Sequence, residues 1–231
     1  MKNSEMKYRH EYKYPISELE AAILKQRVKD IMSLDPHVSL EGMYLISSLY
    51  FDDYYDSCYN ENENGTDPRE KFRIRIYNNN TDRISLECKR KEHGKTLKTS
   101  CKLSKEQVED TIHGVSIKGD SRSDPLLLKF IEAQHSRNLK PKVIVEYKRV
   151  PYIYRIGNVR VTFDSQLTSS NYVEKFLEGN YPKRPVMPKG KLLLEVKFDE
   201  FLPDYLYDIM QLNNLTQTAF SKYYLCRKYA L

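Results

Sequence analysis

The stretch "EKFRIRIYNNNTDRISLECKRKEHGKTLKTSCKL", residues 70–103, sets charged and apolar side chains at alternate positions through three successive runs. Side chains of a β-strand point alternately to the two faces of a sheet, so this period of two predicts extended chain rather than helix. Arg73 and Arg75 share one face, with Phe72, Ile74 and Ile76 on the other. Ser85, Glu87 and Lys89 likewise oppose Ile84, Leu86 and Cys88, and Lys98, Ser100 and Lys102 alternate with Thr99, Cys101 and Leu103. The joining segments "NNNTD" and "KEHGK" are rich in residues that tolerate turn geometry. Three consecutive antiparallel strands follow.

The same design recurs elsewhere. Residues 7–14 alternate tyrosines and His10 against Arg9, Glu11 and Lys13, with Pro15 as the expected end of the strand. Ser17 followed by Glu20 forms a capping-box pattern, and Leu19, Ile23, Val28 and Ile31 give a helical stripe through about Met32. Residues 44–51 read as a strand, and the polar segment after them as a turn region. Ser104 with Gln107, and Asp124 with Pro125, open two further helices. Strands are expected at 143–149, 152–156, 159–163 and 192–198. A helix follows Pro203 and stops near Asn213 and Asn214, and a last one covers about 218–229. On the later strands Glu146 pairs with Lys148, Arg160 with Thr162 and Asp164, and Leu193 with Glu195 and Lys197. Many strands with helices at their edges make an α+β chain, and 231 residues fit one domain, 1–231.

For any one strand, a charged face simply in water is the ordinary account. Repetition across at least six strands suggests another arrangement: a closed antiparallel β-barrel with the charged face inward, forming a tunnel, and helices packed outside and at its ends. Inward cations need counter-ions or an anionic ligand. Arginine grips phosphate through two parallel hydrogen bonds and lysine adds point charge, so convergent cations suit a tri- or polyphosphate. A carboxylate in the same wall invites a divalent ion that bridges phosphate oxygens.

Composition narrows the classes. The net charge of +6 favours anionic partners without choosing among them. Open-platform recognition of RNA needs aromatics interleaved with the basic residues, whereas Phe72 and Ile74 lie opposite the arginines, so no nucleic acid is expected. The four cysteines lack CxxC spacing and read as reduced structural thiols. His10 alternates with the inward set and reads as an outward strand residue rather than a general base. "MKNSEMKYRHEYKYPIS" has no signal-peptide core, and no run is long enough to span a bilayer. A cytoplasmic chain without direct membrane insertion is expected, any membrane coupling then needing a separate partner.

"RHEYKY", "FRIRIY", "LECKRK", "VIVEYKR", "VRVTFD", "LLLEVKF" and "FSKYYL", in this order over nearly the whole chain, resemble the VTC domain, the polyphosphate polymerase domain of the triphosphate tunnel (CYTH-like) superfamily. The resemblance implies a tunnel that binds ATP or polyphosphate with Mn2+ or Mg2+ and transfers the terminal phosphoryl group of ATP to orthophosphate, pyrophosphate or a growing chain. It implies phosphate contacts from Arg73, Arg75, Lys89, Lys98, Arg149, Arg160, Ser221 and Lys222, and a metal-binding role for Glu195. Shared strand faces add Arg9, Lys13, Lys102 and Lys197 to the phosphate-binding set. Arg73, Arg75, Lys89, Arg160 and Glu195 are the residues expected to act in catalysis. The first strand keeps only the second of two glutamates common in triphosphate tunnel enzymes, so Glu11 is expected to assist Glu195 in holding the metal rather than to lead. Hydrolysis of triphosphate or polyphosphate, and polyphosphate binding without turnover, are the alternative readings.

Overall fold

Alternating strands assemble here into one antiparallel sheet that curls on itself. The computed structural model describes residues 7–120, 122–211 and 214–229. In chain order they form β1 (His10–Ser17), α1 (Glu18–Lys29), β2 (Ser33–Leu34), β3 (Tyr44–Asp52), α2 (Ser57–Glu63), β4 (Arg69–Tyr77), β5 (Asn80–Glu92) and β6 (Lys95–Leu103). There follow α3 (Lys105–Ile112), α4 (Pro125–Ser136), β7 (Lys140–Tyr154), β8 (Val159–Ser170), β9 (Arg184–Pro185), β10 (Lys191–Phe198), α5 (Asp204–Ile209) and α6 (Lys222–Lys228). The strand order is β1-β10-β8-β7-β3-β4-β5-β6, with β2 added beside β7 and β9 beside β8.

The barrel expected from the sequence is not closed. Its edge strands meet at one residue pair, where Arg9 and Thr96 exchange backbone hydrogen bonds of 2.9 Å. Beyond that bridge β1 pairs only with β10 and β6 only with β5 among the described residues. In the antiparallel register set by Arg9 and Thr96, β1 and β6 extend in opposite directions from the bridge, so most of their length has no partner across the seam. The result is α+β: a curled, open sheet with a charged concave face.

Apolar alternate positions form two clusters on the convex side. One packs Phe72, Ile74, Leu86 and Ile144 beneath Val108 of α3 and Leu127 and Phe130 of α4. The other packs Ile16, Val161, Phe163, Leu194 and Val196 against Ala21, Leu24 and Val28 of α1 and Leu206 of α5. A third cluster fills part of the concave side, where Tyr223 and Cys226 of α6 meet Ile46, Val143, Val145 and Leu167. The C-terminal helix therefore sits inside the curl.

Several local expectations change. β1 continues through Pro15, which stands opposite Leu193; as an edge strand, β1 has a side on which a missing N–H costs no ladder bond. The capping box of α1 forms at Ser17 and Glu20, but Ala21, Leu24 and Val28 are its buried residues, while Leu19, Ile23 and Ile31 are exposed. β7 is a single strand of 15 residues through Pro141 and Pro151. Pro151 falls between Arg149, where pairing with β3 ends, and Tyr152, where β2 takes over, and its carbonyl accepts from Asp35 N at 3.1 Å. α2 occupies part of the segment read as a turn, β8 runs on to Ser170, and the last helix begins only at Lys222. Asn213, an expected helix stop, lies outside the described residues.

Phe130 is fully buried and stacks edge-on with Phe51 at 5.0 Å. Phe130→Ala is expected to lower the unfolding free energy by about 3–5 kcal/mol, read from urea unfolding, while the concave face keeps its ligand affinity.

Candidate active site

Strand register decides which charges meet. Arg73 stands opposite Glu87 and Tyr50, Arg75 opposite Ser85 and Ser48, and Lys71 opposite Lys89, which stands opposite Lys98 on β6. On the other side of the curl Glu11 is opposite Lys197, Lys13 opposite Glu195, and Arg149 opposite Asp164. These side chains converge on a cavity of about 820 Å³ lined by Lys13, Arg69, Lys71, Arg73, Arg75, Lys89, Lys91, Arg149, Lys197 and Lys222, with Glu11, Glu63 and Glu195. Ten basic groups face three carboxylates on the cavity wall, and Glu87 and Asp164, buried against Arg73, Arg75, Arg149 and Lys222, add two more counter-charges, so cations still outnumber carboxylates.

Buried carboxylates hold the cations in place. Glu87 accepts from Arg73 Nε at 2.8 Å and Nη2 at 2.7 Å, lies 3.6 Å from Arg75 Nη1, and accepts from Lys98 Nζ at 3.1 Å. Burial alone would raise its pKa, but Arg75, Arg73 and Lys98 outweigh that and hold it well below the carboxylate range. Arg149 donates to both oxygens of Asp164 at 2.6 Å and to Glu195 Oε2 at 3.0 Å. Lys222 Nζ lies 2.7 Å from Asp164 Oδ2 and 4.7 Å from the centre of the Tyr147 ring.

Glu11 and Glu195 are cross-linked by two lysines: Lys197 lies 3.6 and 3.4 Å from them and Lys13 3.7 and 3.8 Å. Glu195 is kept well below its ordinary pKa because Lys197, Lys222, Lys13 and Arg149 overcome its burial. Glu11 is lowered too, with Lys89 at 2.6 Å and Lys197 overcoming burial. No group of three or more His, Cys, Asp or Glu side chains that could hold a metal occurs among the described residues. Glu11 and Glu195 are the cavity's neighbouring carboxylates, and a divalent ion held by them would compete with Lys13, Lys89, Lys197 and Arg149 and take its remaining ligands from phosphate oxygens and water.

Two lysines are tuned by enclosure. Lys89 is pushed down to about 7 by burial, against the opposing pull of Glu11. Lys71 is pushed down to about 8, chiefly by burial; its Nζ donates to Asn62 Oδ1 at 3.0 Å and lies 5.0 Å from the centre of the Tyr223 ring. The C-terminal segment crosses the mouth: Thr218 N donates to Lys13 O, and Lys13 Nζ donates to Phe220 O, both at 2.9 Å.

The cavity thus gathers Arg73, Arg75, Lys89, Arg149, Lys197, Ser221, Lys222, Lys13, Glu11 and Glu195. Ser221 also caps α6, its Oγ accepting from Tyr224 N at 3.2 Å. Four expected ligands lie off the cavity wall. Arg9 is turned to Asp199 and the Asn158 carbonyl, at 2.8 and 2.5 Å. Lys98 is half-exposed beside Glu87, Lys102 is exposed on the free part of β6, and Arg160 is bound to Asp35 and Tyr44. Glu146 and Lys148 are not on the concave face; Glu146 bonds Ser47, Tyr181 and Lys183 on the far side of β7. His10 stacks on Phe198, with ring centroids 4.9 Å apart, and also borders the cavity. Arg69, Lys71 and Lys91 were not singled out from the sequence, although they extend the alternation of Arg73 and Lys89 by simple parity.

The VTC domain profile matches residues 8–231. This chain belongs to the VTC domain family. Solved structures with the same fold include a candidate adenylate cyclase from Bacillus halodurans, at 16% identity and TM-score 0.53, covering 93% of this chain and 94% of that one. The PH1819 protein of Pyrococcus horikoshii aligns at 13% identity and TM-score 0.52 over 96% and 99% of the two chains. A Hippeastrum protein described as a candidate adenylyl cyclase with a dominant triphosphatase activity aligns at 12% and 0.53 over 98% and 97%. These neighbours share the fold of the VTC chain over nearly its whole length. No curated protein sequence matches it, and no described helix is long and apolar enough to cross a membrane.

Lys71 gives the site a pH signature. An anion beside it favours the ammonium form, so binding near pH 8 takes up a proton and affinity falls as pH rises through about 8. Calorimetry of tripolyphosphate binding in buffers of different ionisation enthalpy should detect this uptake, and Lys71→Arg should diminish it.

Proposed function

We propose that the VTC domain described here is a metal-dependent phosphotransferase that moves the terminal phosphoryl group of ATP onto a polyphosphate chain. The carrying observation is the excess of cations around one cavity that also holds the Glu11–Glu195 pair. Phosphoryl transfer depends mainly on positioning and charge neutralisation, and such a wall supplies both. Arg73, Arg75, Lys89 and Arg149 would hold nonbridging oxygens, with Lys71 and Lys222 completing the cationic wall. A Mg2+ or Mn2+ ion held by Glu195 and Glu11 would neutralise phosphate oxygens from the acid-bearing side.

Orthophosphate, pyrophosphate or the end of a chain enters in line with the bond to be broken. A terminal oxygen of the acceptor would form the new bond to the γ-phosphorus as the bond from that phosphorus to the β–γ bridging oxygen breaks, and ADP would leave carrying the bridging oxygen. The attacking oxygen is already ionised, so no strong protein base is required. Water in the acceptor position gives hydrolysis. This second reading is favoured by the Hippeastrum structural neighbour, which is described as having a dominant triphosphatase activity.

Incubation of the purified protein with ATP and Mn2+ or Mg2+ should yield long-chain polyphosphate. Orthophosphate as sole product would establish the hydrolase instead, and tight binding without either product a passive module. Arg75→Met should weaken tripolyphosphate binding by about 1.5–3 kcal/mol, the usual worth of a hydrogen bond to a charged group, and Glu195→Gln should remove turnover while the thermal transition persists.

A further inference from the structure

The cavity has an aromatic and polar flank that the proposed transfer leaves unused. Asn62 and Glu63 of α2 and Tyr224 of α6 line the same cavity as Arg69 and Lys71. Lys71 joins this flank to the cationic wall, its Nζ donating to Asn62 Oδ1 at 3.0 Å. Tyr224 is backed by Tyr59, the two rings stacked at 18° with centroids 5.0 Å apart. Tyr224 borders the cavity and Tyr59 does not, so the pair presents the free face of Tyr224.

That ring is held rigidly. Its hydroxyl donates to Glu63 Oε1 at 3.1 Å, and Lys228 Nζ, 3.4 Å from the hydroxyl and 5.6 Å from the ring centre, sits at the hydroxyl edge. No second ring stacks on the free face among the described residues. Asn62 turns its oxygen to Lys71, which leaves Nδ2 as a donor without a partner there, and Glu63 keeps Oε2 as a free acceptor. A phosphate gains nothing from an aromatic face and is repelled by a carboxylate. A purine base matches both: its face stacks on tyrosine, a ring nitrogen accepts, and the exocyclic amine of adenine donates. The cavity's other ring pair, His10 on Phe198, follows Glu11 in the chain, whereas Tyr224 and Asn62 touch neither Glu11 nor Glu195 among the described contacts. Base and γ-phosphate are the two ends of a nucleotide, so the base belongs away from the carboxylates assigned to the reacting end.

Resting on the ATP-using reading above, we propose that Tyr224, backed by Tyr59 and flanked by Asn62 and Glu63, is the site that takes the purine base of the nucleotide donor. The base lies on the free face of Tyr224, and the phosphates run past Lys71 into the arginines. Stacking adds affinity that a bare polyphosphate lacks. The platform thereby lets the nucleotide compete with polyphosphate for a cationic wall that attracts both.

Equilibrium binding to the purified full chain would compare ATP with ribose 5′-triphosphate, which carries the same phosphates without a base. The wild type should bind ATP about tenfold more tightly, within the usual worth of one base stacked on an aromatic ring. Tyr224→Leu keeps an apolar contact on Tyr59 but has no aromatic face. It should reduce the ATP preference to within about twofold and leave ribose 5′-triphosphate affinity within about twofold of the wild type. Tyr224→Met carries the same expectation should the leucine variant fold poorly. Tyr224→Phe, which restores the ring, should restore the preference, and His10→Ala should leave it intact. A preference that survives Tyr224→Leu, or one that His10→Ala removes, would overturn the proposal. Failure of the wild type to bind either triphosphate would overturn the proposed function and this inference with it; equal binding of the two would overturn the inference alone.

Discussion

Mutual repulsion among buried cations is the constraint on which the rest of this structure depends. Ten basic groups facing one cavity could not be enclosed without internal counter-charge. Glu87, Asp164 and Glu195 supply it from the floor of the site, each almost fully buried. Their positions explain why the cations remain individually addressable: Arg73 and Arg75 share Glu87, whereas Arg149 and Lys222 share Asp164. The arginines are thereby held in defined orientations before any ligand arrives. A polyanion then finds donors already in place, which reduces the ordering cost of binding.

Much of this was legible in the sequence because strand parity is a rigid rule. Arg73, Arg75, Lys89, Glu195 and Lys197 fall on the predicted face, and the convex core follows from the intervening apolar positions. Parity failed where local context intervened. "EYKR" on β7 offers both Glu146/Lys148 and Tyr147/Arg149 as possible inward pairs, and only the register with β3 and β8 selects the second. The α1 stripe was misassigned because Leu19 and Ile23 are more hydrophobic than Ala21, yet the docking angle of the helix buries Ala21, Leu24 and Val28. Closure was not legible at all, since it depends on how the tilts of successive strands accumulate around the curl.

Side-chain destination was the least readable level. Arg9, Lys98, Lys102 and Arg160 occupy positions consistent with the alternation, but a long side chain goes to the nearest suitable partner. For Arg9 that is Asp199, for Lys98 Glu87, and for Arg160 Asp35, residue 125 positions earlier in the chain. Such pairings across the fold leave no local trace in sequence. The same applies to α6, whose placement inside the curl brings Lys222 to Asp164 and Tyr223 to Asp52.

The solitary bridge between Arg9 and Thr96 has a mechanical corollary. In a fully hydrogen-bonded barrel, girth is fixed by strand number and stagger, and any widening must break an entire ladder. Here the two rims are joined by two backbone hydrogen bonds and by side-chain contacts such as Glu11–Lys89 at 2.6 Å, so the girth of the curl is set at this seam by side-chain chemistry in place of a ladder.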